Sequence, residues 1–269
     1  MTKFKPENNY KKLFNLENKN AYVLGGSGLL GKEISKVLFQ YGASVKVLDL
    51  KEDTRNKNLK FIKFDYRKKN FESEFKRIFK HYGSPDVFIN ASYPKNSSWS
   101  KSSIEKIKLT SFLYHIEKWS ISHVWITKLV AEQMKMKKIH GKIINIGSIY
   151  GVVSQNPDLY KKIKGMNPSN IIYSFIKGGL QTFTKQMAVL FGKHNIKINT
   201  INAGGVIQRK NSKIISPNKK FIKKYSDNTP LKRMAEVSEI ASVALFLSSD
   251  ASSYITGSNI LVDGGWTAT

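Results

Sequence analysis

The sequence predicts a doubly wound α/β domain, a seven-stranded parallel sheet with helices on both faces. Three observations carry that expectation. From Asn20 onward, short apolar runs alternate with helix-length segments, the pattern of parallel strands joined by crossover helices. A glycine-rich turn, Leu24-Gly25-Gly26-Ser27-Gly28-Leu29-Leu30-Gly31, stands between the first such strand and the first such helix. The chain has 269 residues and no cysteine, so it is long enough to bury a substantial core without disulfides.

Residues 1–19 are polar and Lys/Asn-rich and read as a loose arm, leaving residues 20–269 as one domain. Strands are expected at Ala21–Leu24, Ser44–Leu48, Phe61–Phe64, Val87–Asn90, Lys142–Ile146, Lys197–Ile201 and Ile260–Val262. The first helix should run from the glycine turn to about Tyr41. Gly25, Gly28 and Gly31 permit a tight turn and set the helix N-terminus, with its unpaired N–H groups, against a pyrophosphate. Asp49 ends the second strand. A carboxylate there can accept from both adenosine ribose hydroxyls and repel a 2′-phosphate, which selects NAD(H) over NADP(H). Lys51 and Arg55 lie close enough to oppose that choice.

Asp65-Tyr66 ends the third strand, at the edge that would receive adenine. Asn90-Ala91-Ser92 ends the fourth, beside the ribose and nicotinamide, although an ordinary strand exit reads the same way. Ser148 follows a buried strand and faces the same crevice. Its hydroxyl can bond a substrate carbonyl oxygen and orient Tyr173. Tyr173 and Lys177 lie one turn apart on one helix. The lysine cation favours the phenolate and should draw a pKa of roughly 10 toward working pH.

The net charge of +26 invites a nucleic-acid reading, but arginine supplies only five of the 45 basic residues, and the lysines are scattered. A coding bias laid over solvated surfaces explains that pattern better, with a basic funnel for an anionic substrate as the alternative. A polar N-terminus and no run of 18 apolar residues point to a cytoplasmic protein with no membrane partner. No metal site is expected.

In this order the motifs resemble the short-chain dehydrogenase/reductase family from about Ala21 to Thr267. The resemblance rests on the glycine turn, Asp49, Asp65, Asn90-Ala91, Ser148, Tyr173/Lys177, Asn202-Ala203-Gly204-Gly205-Val206 and Ile255-Thr256-Gly257 through Asp263-Gly264-Gly265. It implies a Rossmann fold and an NAD(P)-dependent oxidoreductase in which Tyr173 is the acid/base. Lys177 would bind the nicotinamide ribose and lower the tyrosine pKa, and Ser148 would hold the substrate oxygen. The implied cofactor contacts are Gly25, Ser27, Gly28, Leu30, Gly31, Asp49, Asp65, Tyr66, Asn90, Ala91, Tyr173, Lys177, Gly204 and Val206. A homotetramer or homodimer built partly on the Tyr173 helix is implied as well.

The chain also departs from the family pattern. Leu24 stands in place of a usual Thr, and Ala203 in place of a usual Pro. Trp119 falls at or next to the usual catalytic Asn, which puts a water-mediated relay from Lys177 in doubt. Ser148 and Tyr173 are 25 residues apart, about twice the family spacing. Inserts at 93–109 and 152–170 both follow strand carboxyl ends and should sit over the active-site mouth. There Tyr160, Lys161, Lys162 and Lys164 offer an aromatic face and cations. The Ser148–Val153 phrase with its insert is similar to dehydrogenases of bacterial surface-sugar pathways, including those for flagellar nonulosonic (legionaminic-type) acids. The expected substrate is therefore a small polar or anionic molecule, a sugar or amino-sugar derivative. Reduction of a small ketone or 3-oxoacyl thioester, and a catalytically silent NAD sensor, are the alternatives.

Overall fold

The computed structural model describes residues 9–53, 58–94, 99, 103, 105–161, 163, 171–210, 213–216 and 218–269. Its main sheet contains β1 (Asn20–Leu24), β2 (Ser44–Asp49), β3 (Lys60–Lys63), β4 (Val87–Asn90), β5 (Lys142–Ile146), β6 (Lys197–Ala203) and β9 (Asn259–Val262). The strand order is β3-β2-β1-β4-β5-β6-β9, and every pairing is parallel. Each expected strand is present, with its ends moved by at most two residues. A short antiparallel hairpin, β7 (Gln208–Lys210) and β8 (Lys213–Ser216), follows β6 and was not anticipated.

Alternation along each strand divides the core in two. Ala21 and Val23 of β1 pack with Ile34 and Leu38 of α1 (Leu29–Gln40) and with Ile240 and Ala244 of α7 (Val237–Ser248). Tyr22 and Leu24 pack on the other face with α2 (Phe71–Tyr82), α4 (Ile126–Met136) and α5 (Ile171–Gly192). Because helices cover both faces, the central strands are apolar throughout rather than amphipathic. β1 lies between β2 and β4, so the chain reverses its winding there and a crevice opens at the strands' carboxyl ends.

The described part of the N-terminal arm is docked, not loose. Tyr10–Phe14 forms a short 3-10 helix, Leu16 is buried, and its N–H donates to the Tyr41 carbonyl at 2.8 Å. The connection from β4 to β5 carries α3 (Leu109–Trp119), a π-helical segment at Ser120–Trp125, and then α4. No helix among the described residues is long and apolar enough to cross a membrane.

Candidate active site

The two halves of a dinucleotide would meet at the carboxyl ends of β1 and β4. At the first half, Gly31 lets α1 begin directly on the turn, since a Cβ there would lie 2.2 Å from the Gly25 carbonyl oxygen. The first intrahelical bond is Lys32 N–H to the Gly28 carbonyl, and no side chain caps this end. The N–H groups of Leu29, Leu30 and Gly31 therefore precede the helical ladder, the arrangement that receives a pyrophosphate.

A cavity of about 210 Å³ beside this turn is lined by Gly25, Gly28, Asp49, Asp65, Tyr66, Arg67 and Ala91, among others. Both Asp49 oxygens accept backbone bonds, from Ser27 N–H at 3.0 Å and Leu50 N–H at 2.7 Å. The carboxylate is thereby fixed while retaining lone pairs for ribose hydroxyls. Asp65 is held by Arg67 in a bidentate pair at 2.8 and 2.9 Å, which depresses its carboxyl pKa. This half fits a dinucleotide's adenosine end. Arg55 lies outside the described residues, whereas Arg67, which the sequence reading passed over, faces the cavity.

A second cavity, of about 680 Å³, adjoins the first and shares Gly28, Ala91, Ser92 and Tyr93 with it. Leu30, Ser148, Tyr173, Lys177, Gly204 and Val206 all line it. Gly151 sets the spacing between Ser148 and α5, because the turn after Ser148 lies directly on that helix. A Cβ at position 151 would fall 2.4 Å from the Lys177 carbonyl oxygen. Ser148 and Tyr173 are thereby brought into hydrogen-bonding contact.

Burial dominates the electrostatics here. It raises the Tyr173 phenol above its ordinary value, with the Ser148 hydrogen bond opposing, and lowers the Lys177 ammonium to about 7. The expected depression of the Tyr173 pKa by Lys177 is thus reversed. The Lys177 Nζ is 5.9 Å from the tyrosine ring centre and turns toward the protein, donating to the Ile146 carbonyl at 2.6 Å.

Some expected contacts are placed elsewhere. Asn90 is fully buried beneath the crevice, donating to the Ser122 carbonyl at 2.7 Å and accepting from the Ser92 hydroxyl at 2.7 Å. It braces the π segment and lines neither cavity. Ser27 reaches Asp49 through its N–H and also lies outside both cavity linings.

Trp119 is fully buried with its ring face 4.9 Å from the Lys177 Nζ, and His123 on the following π segment brings its Nε2 within 3.3 Å of the same atom. No sequence motif marks His123. Its one signal was a spacing of four residues from Trp119, which stacks the two rings at 5.1 Å and 18°. Tyr93 and Trp99 of the first insert also pack against Tyr173, with ring centres at 6.0 and 6.3 Å.

The second insert closes the far wall. Leu159 and Ile163 join Ile149, Ile207, Phe221, Tyr225 and Met234 in a small core beneath α6 (Lys219–Asn228). Lys224 ties the insert to α6, its Nζ donating to the carbonyls of Asp158 at 2.8 Å and Lys161 at 3.2 Å. Residues 95–98, 100–102, 104, 162 and 164–170 of the two inserts lie outside the described residues.

Residues 27–267 match the family model described as Enoyl-(Acyl carrier protein) reductase. The flagellin modification protein A of Campylobacter coli ("Post-translational flagellin modification protein A") is 27% identical over 268 residues, covering 93% of this chain and 99% of that one. A D-arabinitol 2-dehydrogenase [ribulose-forming] of Scheffersomyces stipitis is 25% identical over 283 residues, covering 94% and 95%. The crystal structure of a short chain dehydrogenase from Leptospira borgpetersenii with bound NAD+ superposes with a TM-score of 0.82 at 26% identity, over 99% of each chain. With a parallel sheet split at β1, an uncapped helix at its glycine turn and a Ser/Tyr/Lys set in one crevice, the chain belongs to the short-chain dehydrogenase/reductase family of NAD(P)-dependent oxidoreductases.

Proposed function

We propose that this enzyme transfers hydride between the C4 of NAD(H) and a carbinol or carbonyl carbon of a hydroxylated substrate, a sugar or amino-sugar derivative. Tyr173 moves the proton to or from the substrate oxygen, Ser148 holds that oxygen, and Lys177 binds the nicotinamide ribose. NAD(H) supplies or accepts the hydride. Asp49, pinned by two backbone N–H groups, makes the unphosphorylated ribose the better ligand.

The observation that carries the substrate class is the chemistry of the larger cavity. Among the described residues lining it, Lys177 is the one charged side chain; the rest include Tyr150, Gln155, Tyr160, Phe221 and Tyr225. The Tyr150 and Tyr160 hydroxyls bond each other at 3.2 Å. The Gln155 side-chain oxygen is buried with no hydrogen-bond partner among the described residues. A substrate O–H or N–H supplies the donor it lacks, and aromatic faces suit the C–H surface of a sugar ring.

That lining favours a neutral polar substrate over an anionic one. Lys161 is exposed and paired with Asp158, while Lys162 and Lys164 lie outside the described residues. The name of the D-arabinitol relative supports a polyol–ketose reaction, and the flagellin-modification relative agrees with a role in decorating a surface structure. The description of the matching family model favours a second reading, reduction of an acyl thioester.

The test is turnover on two panels: polyols and amino sugars with NAD+, and 3-oxoacyl thioesters with NADH. Preferred turnover on the first panel is expected, and Gln155→Leu should raise KM there roughly tenfold, the effect of one unpaired buried group. Preferred turnover of thioesters would select the second reading. The exposed apolar residues Phe175, Val189 and Leu190 on α5, with Leu109 and Leu113 on α3, fit assembly into a homodimer or homotetramer. Light scattering tests that.

A further inference from the structure

We propose that His123 is the positioning residue of Lys177, a fixed neutral acceptor that holds the lysine head between the β5 carbonyl and the catalytic cavity. The inference rests on Tyr173 and Lys177 forming the catalytic pair.

Its basis is an accounting of donors. The Ser122 hydroxyl lies 3.1 Å from the Trp119 carbonyl and 2.8 Å from Nδ1 of His123. With the serine proton on the Trp119 carbonyl, which only accepts, the serine oxygen accepts from Nδ1–H. The imidazole is then the Nδ1–H tautomer, with the Nε2 lone pair directed at the lysine Nζ 3.3 Å away. Trp119 stacks on the ring, 5.1 Å between centres. The chain ends at the Trp119 carbonyl, so it fixes a geometry and does not conduct a proton to solvent.

Among the described residues, no carboxylate takes part in this arrangement. From β5 the lysine meets the Ile146 carbonyl, from the π segment His123, and from α3 the face of Trp119, 4.9 Å from Nζ. From α5 it meets Tyr173. His115 stands further along α3, in ring contact with Trp99. Among the described residues, dipoles and a ring face carry the stabilisation of the lysine charge. Two of the three ammonium protons are spent on Ile146 and His123, which leaves the third for a ribose hydroxyl.

The experiment is NMR of the full-length protein labelled in His and Lys, with and without NADH. With five histidines, His123 can be assigned by substitution. His123 should be protonated at Nδ1 only and remain neutral below its ordinary pKa, because burial and the neighbouring lysine charge oppose protonation and outweigh the hydrogen bond to the Trp119 backbone. His123→Leu should make Lys177 a stronger acid by about tenfold, and His123→Gln, whose amide oxygen accepts, should restore most of the difference.

A Lys177 titration unchanged in His123→Leu, or a proton on Nε2 in the wild type, overturns the proposal. Should His123→Leu fail to fold, the wild-type tautomer and the Gln variant still decide. The catalytic-pair reading fails separately, by Lys177→Ala retaining full turnover on the panels above while these spectra stay as expected.

Discussion

The two ends of the crevice are made from different materials. The adenosine end is formed largely by backbone: a glycine turn, the bare N-terminus of α1, and the strand-end carboxylate of Asp49 pinned by main-chain N–H groups. The chemical end is formed by side chains drawn from far apart in the sequence, with Tyr93 and Trp99 after β4, Tyr150 to Tyr160 after β5, and Phe221 and Tyr225 on α6. Backbone geometry restricts residue choice severely, because a Cβ at Gly31 has no room. An aromatic wall can be assembled in many ways. The cofactor end therefore leaves a mark in the sequence, and the substrate end leaves a fold to be solved.

If that division holds, substitutions at one end should spare the other. Tyr173→Phe should cut turnover about 100-fold or more, the effect of a lost general acid/base, while NADH affinity measured by fluorescence stays within a factor of two or so. A parallel loss of affinity would break the comparison. Asp49→Ser should shift the NADH-to-NADPH binding ratio by roughly tenfold or more and leave KM for the substrate unchanged. A wild type that already prefers NADPH would instead give Arg67 the deciding role.

Gly151→Ala tests the joint between the halves. The added methyl displaces α5 or the Ser148 turn, and overpacking of this kind costs ~1–3 kcal/mol. Turnover should fall severalfold and the melting temperature by a few degrees, with NADH binding least affected. Full activity would mean that the turn moves freely.

The last test, read in stability and not in turnover, concerns Lys177. Its folded pKa of about 7 lies below the ordinary 10.5, so between those values the unfolded chain binds more protons. Stability then rises with pH across that window as the burial penalty is relieved. Lys177→Met abolishes this dependence, so its melting temperature relative to wild type should decline as pH rises from 7 to 10. Parallel curves would place the lysine's charge in solvent.

Much of this was legible in the residues. The seven strands announced themselves as apolar runs because both sheet faces are covered, and the glycine turn, Asp49, Ser148, Tyr173 and Lys177 fell where the family order implies. What escaped depends on packing between distant segments. Asn90 sits at a strand's carboxyl end as expected, but its amide turns down to Ser122. The rise in the Tyr173 pKa reflects burial, which no spacing rule reports. The β7–β8 hairpin is too short and too polar to register as a period.

The π segment at Ser120–Trp125 has a consequence for how such a site changes over generations. A π turn is an α-helix with one residue too many, and the surplus advances every later side chain by about 100° around the axis. Here it lies between Trp119 and Ile126, each of them fully buried. Removing a single residue from this stretch would rotate one of those anchors out of the core, or swing the imidazole off the lysine. Point substitutions can tune this wall of the active site one group at a time. A one-residue deletion would rewrite all of it together, so the length of this helix is as tightly constrained as any residue on it.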